Sequence, residues 1–182
     1  MILGLDISTS ITGVSLVNKE GDLVFCAAWR TDKKGLTFFE KLSIFKDRVE
    51  ELKQELENKD ISAIYVEEPF GMYASGRSSA QVISKIQRFN GACCWILKEV
   101  LMKEPQYIKV NTARKLYGIK LPRGCNTKEV VLKNVSSKET NFSYELTKKG
   151  NCVKGTYDRA DSVVIARAGI SLYNDSKKEL AF

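Results

Sequence analysis

The chain has 182 residues, of which 43% are hydrophobic and 28% are charged, and its formal net charge is +7. These values predict one soluble globular domain, and the excess of Lys and Arg favours a polyanionic partner such as nucleic acid. Histidine is absent, which excludes Ser-His-Asp catalysis, Cys-His catalysis and histidine-ligated metal sites.

The first third of the chain predicts a β-meander followed by a helical crossover. Residues 2–7, 12–18 and 23–30 predict three antiparallel strands separated by turns. Apolar residues spaced by three and four predict an amphipathic helix over 36–58. The apolar run at 61–66, rich in β-branched residues, predicts a buried parallel strand reached through that helix.

The middle of the chain predicts two helices around another strand. A loop over 71–79 leads to a helix over about 80–103, with a serine as its N-cap. That helix is apolar on more than one side, which fits either a fully buried core helix or a helix with part of its surface in a dimer interface. Residues 107–111 predict a strand, and Thr112 caps a short helix that ends near Tyr117.

The last third of the chain predicts two more helices. One begins at Asn126 or Thr127, and the other covers Arg159–Tyr173. Residues 136–157 are polar and weakly periodic, which indicates a loop or a small β excursion. The whole order of elements predicts an α/β fold, a mixed five-stranded sheet flanked by helices.

Acidic residues interrupt or end apolar elements at three separate places. Asp6 lies inside the first strand, Glu67 and Glu68 end the parallel strand, and Asp158 and Asp161 share one face of the last helix. A carboxylate inside a sheet is costly unless it is paired or bound to metal. Each acid alone fits a helix cap or a lysine partner. Together they indicate a shared cation site, since two divalent ions ~4 Å apart need about four such ligands.

Three segments that contain these acids resemble one known family. ILGLDISTSITGVSLV, AIYVEEPF and DRADSVVIA resemble the RuvC-type Holliday junction resolvases of the RNase H-like nuclease superfamily, in their phage and poxvirus branch. The resemblance covers nearly the whole chain, apart from residues 136–156. It implies an RNase H-like domain over residues 1–182, with three antiparallel strands followed by two parallel ones. It also implies a homodimer that cuts a four-way DNA junction by phosphodiester hydrolysis.

The resemblance also implies a metal site and roles for its ligands. The implied cofactor is Mg²⁺ or Mn²⁺, two ions per active site, held by Asp6, Glu67, Asp158 and Asp161. Asp6 would bridge both ions, Glu67 would complete one site, and the other two acids would hold the second. The family pattern strand–Glu–x–x–Phe favours Glu67, whereas on the residues alone Glu68 stays open, because a one-residue shift changes the face of the strand.

Further residues are implied as DNA contacts. Lys128 matches a family lysine that contacts the scissile phosphate, and Lys109 is a similar candidate. Phe70 matches an aromatic residue that stacks at the junction centre, and Tyr73 lies in the same loop. The candidate DNA-binding residues, which include basic side chains for phosphate contacts, are Phe70, Tyr73, Arg77, Lys109, Arg114, Lys115, Lys120 and Arg123.

Two departures from the family pattern stand out. The turn after the first acid, Ile7-Ser8-Thr9-Ser10, contains no glycine or proline. The last motif begins with histidine in some relatives and with Asp158 here, which suits an all-oxygen magnesium or manganese site.

Other readings share parts of this pattern. The first segment also resembles the phosphate motif of sugar kinases and actin-like ATPases, but the chain lacks their second domain and glycine-rich nucleotide motifs. A YqgF-like RNA-processing nuclease would share the acids. A non-catalytic nucleic-acid-binding module would share the fold without the activity.

Cysteines and apolar runs bear on location. The five cysteines include no C-x-x-C pair, which favours a reducing compartment over disulfides. Asp6 breaks the first apolar run and no basic segment precedes it, so we expect no secretory signal. No run reaches the ~20 residues of a spanning helix. We expect a cytoplasmic protein with no membrane partner, and the branch resemblance suggests phage origin and action in the host cytoplasm.

Overall fold

The computed structural model describes residues 1–56, 59–69 and 80–179. Within these ranges five strands form one sheet in the order β3-β2-β1-β4-β5. β1 pairs antiparallel with β2 and β2 with β3, whereas β1–β4 and β4–β5 are parallel pairs. This confirms the predicted sheet of three antiparallel strands followed by two parallel ones. The strands are β1 (Ile2–Asp6), β2 (Ile11–Val17), β3 (Leu23–Arg30), β4 (Ala63–Glu67) and β5 (Pro105–Ile108).

Helices cover both faces of this sheet. Within the described part of the chain, none of them is long and apolar enough to cross a membrane. The helices are α1 (Phe38–Leu56), α2 (Ala80–Leu101), α3 (Val110–Tyr117), α4 (Thr127–Lys138) and α5 (Thr156–Glu179).

Alternate residues of the strands enter two separate apolar layers, as the two-residue period of a strand requires. Leu3 and Leu5 of β1 pack with buried residues of α1 and α2. Ile2 of β1 and Tyr65 of β4 face the other way and pack with buried residues of α3, α4 and α5. The residues of β1 and β4 that share the face of Ile2 and Tyr65 therefore look toward α5.

Small residues let α5 approach the sheet closely. A Cβ added at Gly4 would overlap the backbone of Ala166, and one added at Gly13 would overlap the carbonyl group of Asp158. Between these two contacts the hydroxyls of buried Ser15 and Ser162 lie 2.7 Å apart, within hydrogen-bonding distance. The first half of α5 is thereby fixed against β1 and β2.

An ion pair with a buried carboxylate joins α5 to the end of α4. Arg167 donates two hydrogen bonds to Glu139, at 2.8 and 2.9 Å. The Tyr117 hydroxyl donates a third to the same carboxylate, at 3.0 Å. Glu139 is only 4% exposed, and these three donors offset the cost of burying its charge.

Several element boundaries differ from the predicted ones. β5 ends at Ile108, and α3 begins at Val110. Lys109 is the N-cap of α3, with an extended backbone and no side-chain cap hydrogen bond. The last helix begins earlier than predicted, at Thr156, which places Asp158 in its first turn. The polar segment before α5 contains one isolated bridge between Leu146 and Cys152, in line with the small β excursion expected there.

We predict that Gly13→Ala destabilises the protein by about 1–3 kcal/mol, the usual cost of forcing extra volume into a packed interface. The added methyl group collides with the Asp158 backbone, which cannot move without displacing α5. Chemical denaturation measures the change. Gly91→Ala is the matched control, because a Cβ there meets nothing within 4 Å and alanine favours the helix. Equal stability of the two variants would contradict close packing of α5 against Gly13.

Candidate active site

Asp6 and Glu67 end two neighbouring parallel strands. Each follows directly on the paired residues Leu5 and Val66. By the alternation of strand side chains, Asp6 shares the face of Gly4 and Glu67 shares the face of Tyr65, which is the face covered by α5. Both carboxylates are partly buried at this edge of the sheet.

Asp158 and Asp161 reach the same edge from α5. Gly13 is the antiparallel partner of Asp6, and the carbonyl group of Asp158 lies directly against Gly13. The first turn of α5 therefore crosses the strand pair beside Asp6. Asp161, three residues further on, lies on the same side of the helix as Asp158 and is partly buried.

The four carboxylates act on one another electrostatically. Burial raises the pKa of Asp6 well above its usual value, and the charges of Glu67, Asp161 and Asp158 raise it further, in that order. The positive charge of Lys128 acts in the opposite direction. All four acids thus contribute to one local field, as expected of a functional carboxylate cluster.

Burial is also the main cause of the pKa shifts of the other three acids. Burial, followed by the charge of Asp161, raises the pKa of Glu67 to about 7. Burial also raises the pKa of Asp161 and of Asp158, against the favourable charge of Lys128. Ionising the whole cluster in the free protein is therefore unfavourable.

Arg114 contributes a second cation to this cluster. Its guanidinium Nη2 lies 3.8 Å from Asp161 Oδ1, and its side chain is only 19% exposed. The positive charge of Arg114 lowers the pKa of both Asp161 and Glu67. Its Nε atom is buried and has no hydrogen-bond partner within the described ranges. Arg114, predicted as a phosphate contact, thus faces the acids rather than the open surface.

Glu68 lies on the opposite side of β4. Its side chain is exposed, and its negative charge raises the pKa of the Tyr107 hydroxyl, after the larger effects of burial and of Cys94. Tyr107 pairs with Val66, a residue of the layer beneath α1 and α2. The sequence left open whether Glu67 or Glu68 is the candidate ligand. In the structure the Glu67 side chain lies on the same face of the sheet as Asp6, and the Glu68 side chain lies on the opposite face.

A serine side chain forms the turn behind Asp6. The Ser8 hydroxyl donates to the Ile11 carbonyl at 2.7 Å and accepts from the Ile11 N–H at 3.1 Å and the Ser10 N–H at 3.3 Å. Lys41 Nζ donates to the Thr9 carbonyl at 2.6 Å. Side-chain hydrogen bonds thus replace the conformational freedom that glycine would give this turn.

The donor set matches a hard divalent cation. Its ligand atoms would all be carboxylate oxygens, which suit Mg²⁺ and Mn²⁺. Such ions would stabilise the ionised form of the four acids, which burial disfavours. Over residues 1–56, 59–69 and 80–179, no three acidic or cysteine side chains are close enough to hold an ion as they stand. The acids fit these ions by ligand chemistry and charge.

The predicted basic contacts separate into two groups. Lys128, in the first turn of α4, is exposed. Its positive charge acts to lower the pKa of Asp6, Asp158 and Asp161. The remaining exposed basic candidates lie at the N-cap of α3, on α3 and in the loop after it: Lys109, Lys115, Lys120 and Arg123. Three candidates lie outside the described residues: Phe70, Tyr73 and Arg77.

The sequence did not reveal Asn90 as part of this region. Asn90 is a buried side chain of α2, and its Nδ2 lies 3.5 Å from the Glu67 carbonyl oxygen. One feature of the sequence could have identified Asn90. It is a single amide among apolar positions of α2, next to Phe89 and one turn before Cys93. Such a residue is costly to bury without a hydrogen-bond partner.

The chain was compared with known proteins and solved structures. No protein-family model matches it, and no curated protein matches it. RuvC of T. thermophilus in complex with a Holliday junction substrate has a TM-score of 0.64 at 15% identity, over 96% of this chain and 94% of that chain. A second Thermus thermophilus RuvC structure has a TM-score of 0.62 at 18% identity, over 97% and 96%.

The yeast mitochondrial Holliday junction resolvase Ydc2 is also similar, with a TM-score of 0.54 at 15% identity, over 97% of this chain and 80% of that chain. At these identities the likeness is one of fold. The observed strand order and the packing of the helices agree with it. The chain therefore has the RuvC-type form of the RNase H-like fold.

Proposed function

We propose that this protein is a divalent-metal-dependent endonuclease that cuts branched DNA, with the four-way junction as its substrate. The observation that carries the proposal is the placement of Asp6 and Glu67 at the ends of neighbouring strands, with the first turn of α5, which contains Asp158, packed against Gly13 beside Asp6. Carboxylates gathered in this way suit phosphodiester hydrolysis by metal ions. The fold shared with Holliday junction resolvases supports branched DNA as the substrate class.

Each residue of the cluster has a distinct task in this proposal. Bound Mg²⁺ or Mn²⁺ would supply an activated water and stabilise charge on the phosphate and on the leaving oxygen. Asp6, on which the other three charges act, would be shared between two ions, Glu67 would hold one of them, and Asp158 and Asp161 would hold the other. The positive charge of Arg114 favours the ionised form of Asp161, against the effect of burial.

Basic side chains supply the attraction for the DNA backbone. Lys128 lies close enough to act on three of the acids, so its ammonium group would neutralise the phosphate that is cut. Lys109, Lys115, Lys120 and Arg123 would hold neighbouring phosphates, and such contacts position DNA without reading its sequence. Phe70, Tyr73 and Arg77 remain candidates for contact with the junction.

A homodimer is the assembly that would cut two strands of a junction symmetrically. The outward side of α2 supports such an interface, because Trp95 is 63% exposed there. Exposed tryptophan is costly in water and is enriched at the centre of protein interfaces.

We predict that Asp6→Asn lowers cleavage of a synthetic four-way junction by at least about a thousandfold, equivalent to ~4 kcal/mol of transition-state stabilisation. Junction affinity in EDTA should hold or improve, because one negative charge near the phosphate is removed. Single-turnover cleavage in Mg²⁺ and fluorescence anisotropy measure the two effects. Wild-type protein on linear duplex and on RNA–DNA hybrid serves as the substrate control. Undiminished cleavage by Asp6→Asn would overturn the proposed nuclease site. Preferential cutting of the RNA–DNA hybrid by the wild-type protein would overturn the assignment of branched DNA as the substrate.

We predict that Glu67→Gln and Glu68→Gln have opposite outcomes. Glu67→Gln should abolish most cleavage, because its carboxylate faces Asp6, whereas Glu68→Gln should keep nearly all of it. The two variants make the same chemical change at adjacent positions, so each is the control for the other. Cleavage rates of the two variants in Mg²⁺ show which carboxylate belongs to the site. Loss of activity only in Glu68→Gln would contradict the assignment of Glu67.

We predict that Trp95→Glu converts a dimer into a monomer, because a charge replaces the exposed apolar ring of α2. Sedimentation equilibrium or size exclusion with light scattering gives the mass. Phe39→Glu on α1 is the matched control, since Phe39 is 76% exposed and the substitution adds the same charge. A wild-type protein that is monomeric, or a Trp95→Glu variant that stays dimeric, would argue against α2 as the interface.

A further inference from the structure

Asn90 is a buried amide whose hydrogen bonds reach the end of β4 and β5. It is 1% exposed and lies among apolar residues of α2 that pack beneath the sheet. Burying an amide without partners costs at least ~1–3 kcal/mol, and an apolar residue of similar size would avoid that cost. The retained amide must therefore be explained by what it binds.

The partners of Asn90 are specific. Its Nδ2 donates a long hydrogen bond of 3.5 Å to the backbone carbonyl of Glu67. Its Oδ1 accepts from the Tyr107 hydroxyl at 2.9 Å and from the Cys94 thiol at 3.5 Å. One side chain thus connects α2, the last residue of β4 and β5. The Tyr107 bond orients the amide so that its N–H points at Glu67.

The peptide that follows Glu67 is held from two sides. Asn90 binds its carbonyl oxygen, and its nitrogen, the N–H of Glu68, donates to the Ile108 carbonyl of β5 at 2.9 Å. Together these contacts fix the plane of the peptide at the point where β4 ends. The direction of the Glu67 side chain follows from that plane, because the backbone at a residue determines where its Cβ points.

We propose that Asn90 is a positioning residue for Glu67, acting through the backbone at the end of β4; this inference rests on the proposed nuclease function. Asn90 touches neither substrate nor metal. It keeps the Glu67 carboxylate on the face of the sheet shared with Asp6, against the repulsion between the acids that would drive the two apart. Groups that orient metal ligands in this way usually contribute 10–100-fold to metal affinity or activity.

The test is Asn90→Leu, which keeps the branched shape of the side chain and removes the amide. We expect the variant to fold, because Tyr107 is 51% exposed and a water molecule can replace the amide as the partner of its hydroxyl. We expect its Mn²⁺ affinity, measured by electron paramagnetic resonance without DNA, to fall by about 10-fold or more. The Mn²⁺ concentration for half-maximal junction cleavage should rise to the same extent, and excess Mn²⁺ should restore the rate. Junction affinity in EDTA should stay within about twofold of wild type, since Asn90 makes no DNA contact.

Cys93→Ala is the matched control, because Cys93 is fully buried on the same helix and its loss loosens packing without touching the amide. It should lower stability and leave the Mn²⁺ requirement unchanged. An equal Mn²⁺ requirement in Cys93→Ala and Asn90→Leu would overturn the inference, and so would a wild-type requirement in Asn90→Leu. If Asn90→Leu does not fold, Tyr107→Phe replaces it, with a shift in the same direction supporting the role and no shift overturning it.

The wild-type protein separates this inference from the function on which it rests. Absence of junction cleavage by wild type in Mg²⁺ and Mn²⁺ overturns the proposed function and the role of Asn90 with it. Cleavage by wild type together with an unchanged metal requirement in the variants overturns only the role of Asn90.

Discussion

The close contact between α5 and the first two strands determines the geometry of the candidate site. Gly13 allows the Asp158 carbonyl to lie against the strand partner of Asp6, and Gly4 allows the same approach at Ala166. Had either position carried a side chain, the helix would stand further from the sheet. The acids of α5 would then lie further from Asp6, and their charges would act on it less strongly. Small residues in the core therefore serve the site more than they serve apolar burial.

The ionised forms of the four acids are unfavourable in this arrangement. Burial raises the pKa of each of the four acids above its usual value, and Arg114 and Lys128 offset only part of the effect. A protein selected for stability alone would replace these acids by pairs or apolar groups. Their retention at one edge of the sheet is typical of sites where local stability is sacrificed for chemistry.

Much of the fold could be predicted because local patterns and the final structure agree. The three antiparallel strands, the crossover helix and the buried parallel strand all follow from hydrophobic period and turn residues. Prediction was poorer where a boundary depends on tertiary contacts. The start of α3 is an example, because Lys109 caps that helix without any side-chain bond to mark it.

The acids of the site could be found from the sequence because each one interrupts an apolar element. Their relative placement could not. The choice between Glu67 and Glu68 depends on strand register, which only the parallel pairing with β1 sets. The inward direction of Arg114 depends on how α3 packs against α5. The contact of Asn90 with the Glu67 backbone joins elements distant along the chain.

The order in which the elements leave the ribosome follows from the same layout. Asp6 and Glu67 belong to strands made early, whereas Asp158 and Asp161 belong to α5, a helix of 24 residues that is the last one described. During translation the site lacks two of its four acids until α5 has been made and has packed against Gly13. Under the proposed function, the nascent chain would not have a complete metal site before that packing step.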